Sequence, residues 1–304
     1  MKRKKEKVKQ EKLFSNRQLI IISVVMATII VLGFILYSLQ TQEVEFSLKA
    51  AIIDQLGEEF PNSDFNATGT VADILKDTGF NVSYHRSETI NVAFYKGLTK
   101  YNYGIIILRT HSATREGETI VDFFTSEGYS ANKYGDEQNN GLLTAGYYLW
   151  NPEGLYFAIT PKFIENLEGG FPKSAVIAMG CNSLNVTCKE MAEAFIKKGA
   201  TIYIGWTGLV SPSHTDNETI KLLRGLLVEN KTFSDAINSL KSDPLYMSKM
   251  EYYPPEADNL TIFDLVREAN THLTSKNAIN NFGHDFLSIY VTNIARLRLK
   301  RTFH

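Results

Sequence analysis

The chain has 304 residues, 44% hydrophobic and 21% charged, enough to bury a sizeable core and too apolar for a disordered or fibrous protein. Its formal charge of −1 is unevenly spread: residues 1–18 carry six Lys and two Arg against Glu6 and Glu11, a net +6, so the remainder carries −7 (−1 less +6). An acidic body argues against nucleic acid as a partner, and two cysteines are too few for a disulfide scaffold.

The 21 residues from Leu19 to Leu39 contain no charge. As a helix they would span roughly 30 Å, the thickness of a bilayer core. The run leads into SLQTQEVEF rather than a small-residue cleavage site, so one uncleaved transmembrane helix is expected over 19–40. The basic tail, 1–18, is then cytoplasmic and everything after it extracytoplasmic, a single-pass membrane protein attached through its N-terminal helix. Asn-x-Ser/Thr sequons at Asn66, Asn81, Asn185, Asn217, Asn230 and Asn259 all fall in the exterior part and agree weakly with export.

After a linker over 41–48, strands and helices alternate. A first strand is predicted over 50–53, then a helix in TVADILKDTG with Thr70 and Asp73 in capping-box spacing and Gly79 as terminator. NVSYH predicts a second strand, INVAFYKGL a second helix and Tyr103 to Leu108 a third strand. TIVDFF and LYFAIT, separated by Gly- and Asn-rich turns, predict a hairpin-like flap outside the core; Pro161 opens a brief helix. The fourth strand, Ala175 to Ala178, precedes a helix over 188–198 with Thr187 and Glu190 in capping-box spacing. ATIYIGW gives a fifth strand, and Thr215 with Glu218 marks the start of a helix through IKLLRGLLVEN. Strands joined by single helices imply an α/β protein with a mainly parallel sheet and right-handed crossovers. Residues 246–304, with Pro254 and Pro255, lose the period and are expected to form an extension on the core.

Two of the apolar runs end alike: YGIIILRTH at His111 and SAVIAMGC at Cys181. Such runs read as strands buried on both faces, whose carboxyl ends are where α/β folds assemble sites. A thiol beside an imidazole can lose its proton to the ring, attack a carbonyl, and receive help from the ring in expelling the amine. Backbone N–H groups of Gly180, Cys181 and Ser112 are natural donors to the resulting oxyanion. Singly, His111 is as well explained as a polar residue leaving a strand, and Cys181 as a small core residue or one half of a bridge to Cys188.

These two motifs resemble those of the caspase-like superfamily of cysteine peptidases (clan CD), which has an apolar strand, two residues, then His, and later an apolar strand, two residues, then Cys. Here they stand as IIIL-RT-His111 and AVIA-MG-Cys181, and AEAFIKKGATIYIGWTG looks like the gingipain/clostripain-type subgroup. The resemblance covers 49–245 and implies a three-layer αβα sandwich in which Cys181 is the nucleophile and His111 the general acid/base of an endopeptidase acting on peptide or protein substrates through a thioester. A transpeptidase using the same dyad, as in the legumain-related transamidase, is the alternative, as is an inactive caspase-like binding domain. The family has Gly after its His, and here that residue is Ser112.

The resemblance also implies Trp206 as a wall of the substrate pocket, though a Trp packing the sheet edge fits equally. Asp216 could select Arg or Lys from that pocket, against a plainer role as an acid in the first turn of a helix. His214 and His284 read as surface residues. Cys-x6-Cys is not a structural zinc spacing and no phosphate-binding Gly-rich motif is present, so neither a metal nor another cofactor is expected; calcium on acidic loops such as GDEQNN stays open.

Overall fold

The computed structural model describes residues 16–40, 45–115, 117–148 and 151–277. The chain divides between Glu43 and Val44 into two compact units. The first contains α1 (Asn16–Gln40), whose described side chains, 21–33, are all exposed. Among the described residues no helix is long and apolar enough to cross a membrane. The basic tail falls outside the described residues, apart from the start of α1.

In the second unit the elements run β1 (Lys49–Asp54), α2 (Thr70–Asp77), β2 (Asn81–Arg86), α3 (Val92–Lys96), β3 (Ile105–Arg109), β4 (Ser112–Thr114), β5 (Val121–Gly128), α4 (Gly135–Asn139), β6 (Leu143–Tyr148) and β7 (Asn151–Ile159). They continue as α5 (Pro161–Glu165), β8 (Ala175–Ala178), α6 (Glu190–Lys197), β9 (Ile202–Trp206), α7 (Pro212–Leu223), α8 (Phe233–Asn238), β10 (Met250–Tyr253) and α9 (Ile262–Asn277). The main sheet has the order β10-β9-β8-β3-β1-β2 and is parallel except for β10.

The apolar runs form strands because both their faces are covered. Ile52, Ile105, Ile107 and Ile177 face α2, α7, α8 and α9; Ile53, Ile106, Leu108 and Val176 face α3, α5 and α6. Burying each such side chain contributes roughly 1.5–3 kcal/mol, so the two-sided strands are the stable centre of the unit.

The segment between His111 and Cys181 differs from the expected flap. It builds a second, antiparallel sheet, β4-β5-β7-β6, whose Val121, Phe123, Leu143, Phe157 and Ile159 join the core beneath the main sheet. Residues 246–277 pack on the body, since β10 pairs with β9 and α9 buries Ile262, Leu265, Val266 and Ala269; the rest of the expected extension, 278–304, lies outside the described residues.

The expected helix starts shift for local reasons. Gly69 is the N-cap of α2, leaving Thr70 inside the helix with its hydroxyl on Asp64, 2.5 Å away. Thr187 is held in a turn by the Asn185 side chain, and α6 begins at Glu190. Ser211 followed by Pro212 starts α7 a turn earlier than Thr215, because Pro suits a position whose N–H needs no partner.

Candidate active site

The strand register brings the two motif residues together. β3 and β8 pair in parallel with Ile105 opposite Ala175 and Leu108 opposite Ala178. Carried three residues further, that offset sets His111 opposite Cys181. The strands stay close past their formal ends: the Met179 amide donates to the Leu108 carbonyl at 2.9 Å, and Ser112 Oγ donates to the Cys181 carbonyl at 2.6 Å. Only glycine fits between them at 180, where a Cβ would lie 2.5 Å from the Thr110 carbonyl oxygen and collide with Ser112 Oγ.

Both side chains line one cavity of about 840 Å³ at the carboxyl edge of the main sheet. Cys181 is partly exposed, and it and Cys188 are both free thiols, which removes the competing bridge. The sulfur is bracketed by one backbone unit: Val210 N–H points at it from 3.4 Å and the Val210 carbonyl accepts from it at 3.6 Å. Burial pushes the thiol pKa up and the Asp243 charge adds to this, with the Val210 contact opposing. The Gly180 amide meets no acceptor among the described residues and so is available to a ligand.

His111 Nε2 lies 2.9 Å from Glu59 Oε2, while the His111 amide donates to Gln55 Oε1 at 2.9 Å. Tyr148 lies tilted against the ring at 4.5 Å between centroids, with Phe60 and Phe124 edge-on at 6.1 and 6.3 Å. Burial lowers the imidazole pKa, Glu59 pulls it back up, and Arg109 pushes it down again. Burial thus favours the uncharged form of both the thiol and the imidazole.

Glu59, Gln55 and Tyr148 are the partners that sequence reasoning missed. Gln55 and Glu59 follow β1, and β1 lies next to β3, so they reach the same edge as His111.

The remaining candidates sit elsewhere. Trp206 is fully buried, its indole N–H donating to Thr215 Oγ1 at 2.8 Å, and it packs the core rather than lining the cavity. Asp216 is also away from the cavity wall. It binds Arg109 through both oxygens, at 2.8 Å to Nε and 2.9 Å to a terminal nitrogen, and accepts from Asn62 at 2.8 Å. Arg109 also pairs with Asp54 at 2.6 Å. His214 is partly buried, with Nε2 3.0 Å from the Lys241 carbonyl. His284 lies outside the described residues. No cluster of His, Cys, Asp or Glu suited to a metal ion occurs among the described residues.

Comparison with protein-family models and with curated proteins finds no match to this chain.

Proposed function

We propose that the protein is a cysteine endopeptidase of the caspase-like, three-layer αβα type, with its catalytic unit held outside the cell by an N-terminal membrane anchor. The observation that carries the reading is the equivalent placement of His111 and Cys181 on adjacent parallel strands, both opening into one cavity. A free, partly exposed thiol favours an enzyme over a binding domain locked by a bridge. The uncharged run from Leu19 to Leu39 behind a tail of net +6 supports the anchor.

In this mechanism a peptide carbonyl sits over the sulfur. His111 takes the thiol proton as the S–C bond forms, and the developing oxyanion is met by the amides of Gly180 and Cys181. Collapse breaks the C–N bond while His111 delivers the same proton to the departing amine. Water, deprotonated by His111, then cleaves the thioester and restores the thiol. Because burial favours the uncharged thiol and imidazole, proton transfer accompanies attack.

Cys181→Ala tests the assignment. Peptide hydrolysis and labelling by a peptidyl electrophile should both disappear, while thermal unfolding stays near that of the parent because the sulfur is only partly packed. Labelling that survives in Cys181→Ala would sink the reading.

A further inference from the structure

The walls around the sulfur restrict which side chains can flank a bond held there. The lining includes Met179, Leu209, Thr215 and Tyr246, together with the Val210 backbone that touches Cys181 Sγ, and Phe60, Phe124 and Tyr148, whose rings contact His111. None of these carries a charge. Leu209 and Tyr246 are 49% and 46% exposed, so the wall offers apolar surface that a bound apolar side chain would cover.

Two acids line the cavity, Asp122 and Glu118, and both are engaged by Arg115; the other nearby acids are committed elsewhere. Both oxygens of Asp216 are taken by Arg109 and Asn62. Asp243 is fully buried and joins two loops, accepting from the Ser211 amide at 2.9 Å, from the Ser211 hydroxyl, and from the Leu245 and Tyr246 amides at 2.8 and 2.9 Å. Glu59 faces His111. The cation that could select an acidic residue, Arg115, is engaged by Asp122 at 2.5 and 2.8 Å and by Glu118 at 3.3 Å. It also lies three residues beyond Ser112, roughly 10 Å along an extended chain.

Resting on the peptidase reading, we infer that the residue contributing the acyl group of the scissile bond is uncharged and apolar, of the size of Leu, Met or Phe. The cavity selects neither basic nor acidic side chains at that position.

The test uses the full chain in detergent micelles with a matched set of tripeptidyl acyloxymethyl ketones that differ only in the residue next to the ketone: Leu, Phe, Arg, Lys or Asp. Labelling of Cys181 is followed by mass spectrometry. The Leu and Phe probes should label at least ~10-fold faster than the charged ones, the scale on which an apolar pocket discriminates. Leu209→Asp should narrow or invert that ratio for the Arg probe, and an unchanged ranking in this variant would take the wall out of contact and overturn the inference. A charged probe fastest on the parent chain also overturns it and leaves the peptidase reading standing. If a small alkylating agent reaches Cys181 and no peptidyl probe does, the peptidase reading fails and the specificity falls with it.

Discussion

Burial lowers the His111 pKa and Glu59 opposes it. In the proposed mechanism the ring must be neutral to take the thiol proton, so activity is expected to fall as pH drops through its pKa. Burial and Arg109 hold that pKa below the ordinary imidazole range, and Glu59 is the group that raises it. Glu59→Gln removes the raising charge. The acid limb of kcat/KM against pH should therefore move to lower pH in Glu59→Gln, while the rate on the plateau falls because the ring is held less firmly. An acid limb that stays put or moves upward would show that Glu59 does not act on the ring. His111 and Cys181 were legible in the sequence because each closes an apolar run, and strand ends are where such sites form. Glu59 and Tyr148 were not, since they reach the ring from segments 52 and 37 residues away in sequence, with no periodic pattern to mark them.

Arg109 ties β3 by charge to the end of β1 and to α7. From the end of β3 it reaches Asp54 at the end of β1, Asp216 in α7 and the Phe60 carbonyl beside Glu59. It is fully buried, and the desolvation that opposes its charge is outweighed by the two carboxylates, so it stays protonated. Removing one partner strands the other charges in a dry site. Asp216→Ala should cost about 3–5 kcal/mol in urea unfolding, the usual scale for breaking a buried pair, and a loss below about 1 kcal/mol would mean Asp54 alone suffices. The strands were recoverable from sequence because two-sided burial demands unbroken apolar runs. The antiparallel sheet was only half visible: LTAGYY in β6 has small residues at its centre, with Gly146 lying against the Phe124 ring, and carries too weak an apolar signal to stand out from the turns around it. Asp216 looked like a helix-start acid by spacing; what it binds comes from another strand.

The two units invite a comparison of truncations. The larger unit, from Val44 on, is compact by itself. A chain of residues 44–304 should unfold cooperatively with a midpoint within about 3 °C of the full chain, less than the shift expected from 1 kcal/mol in a smaller domain. It should also leave the membrane fraction, in which the full chain is expected to stay through a carbonate wash. Cutting after residue 245 is a different matter. It strips β10 from the edge of β9, leaving a row of unpaired backbone groups, and removes Ile262, Leu265 and Val266 from the core above the main sheet. At roughly 1.5–3 kcal/mol each, those three side chains account for about 5–9 kcal/mol, as much as the whole net stability of many domains. A chain ending at 245 should therefore fail to give a cooperative melt and should aggregate. If it instead melts within a few degrees of the parent, the antiparallel edge strand and α9 are ornaments on a core that closes without them.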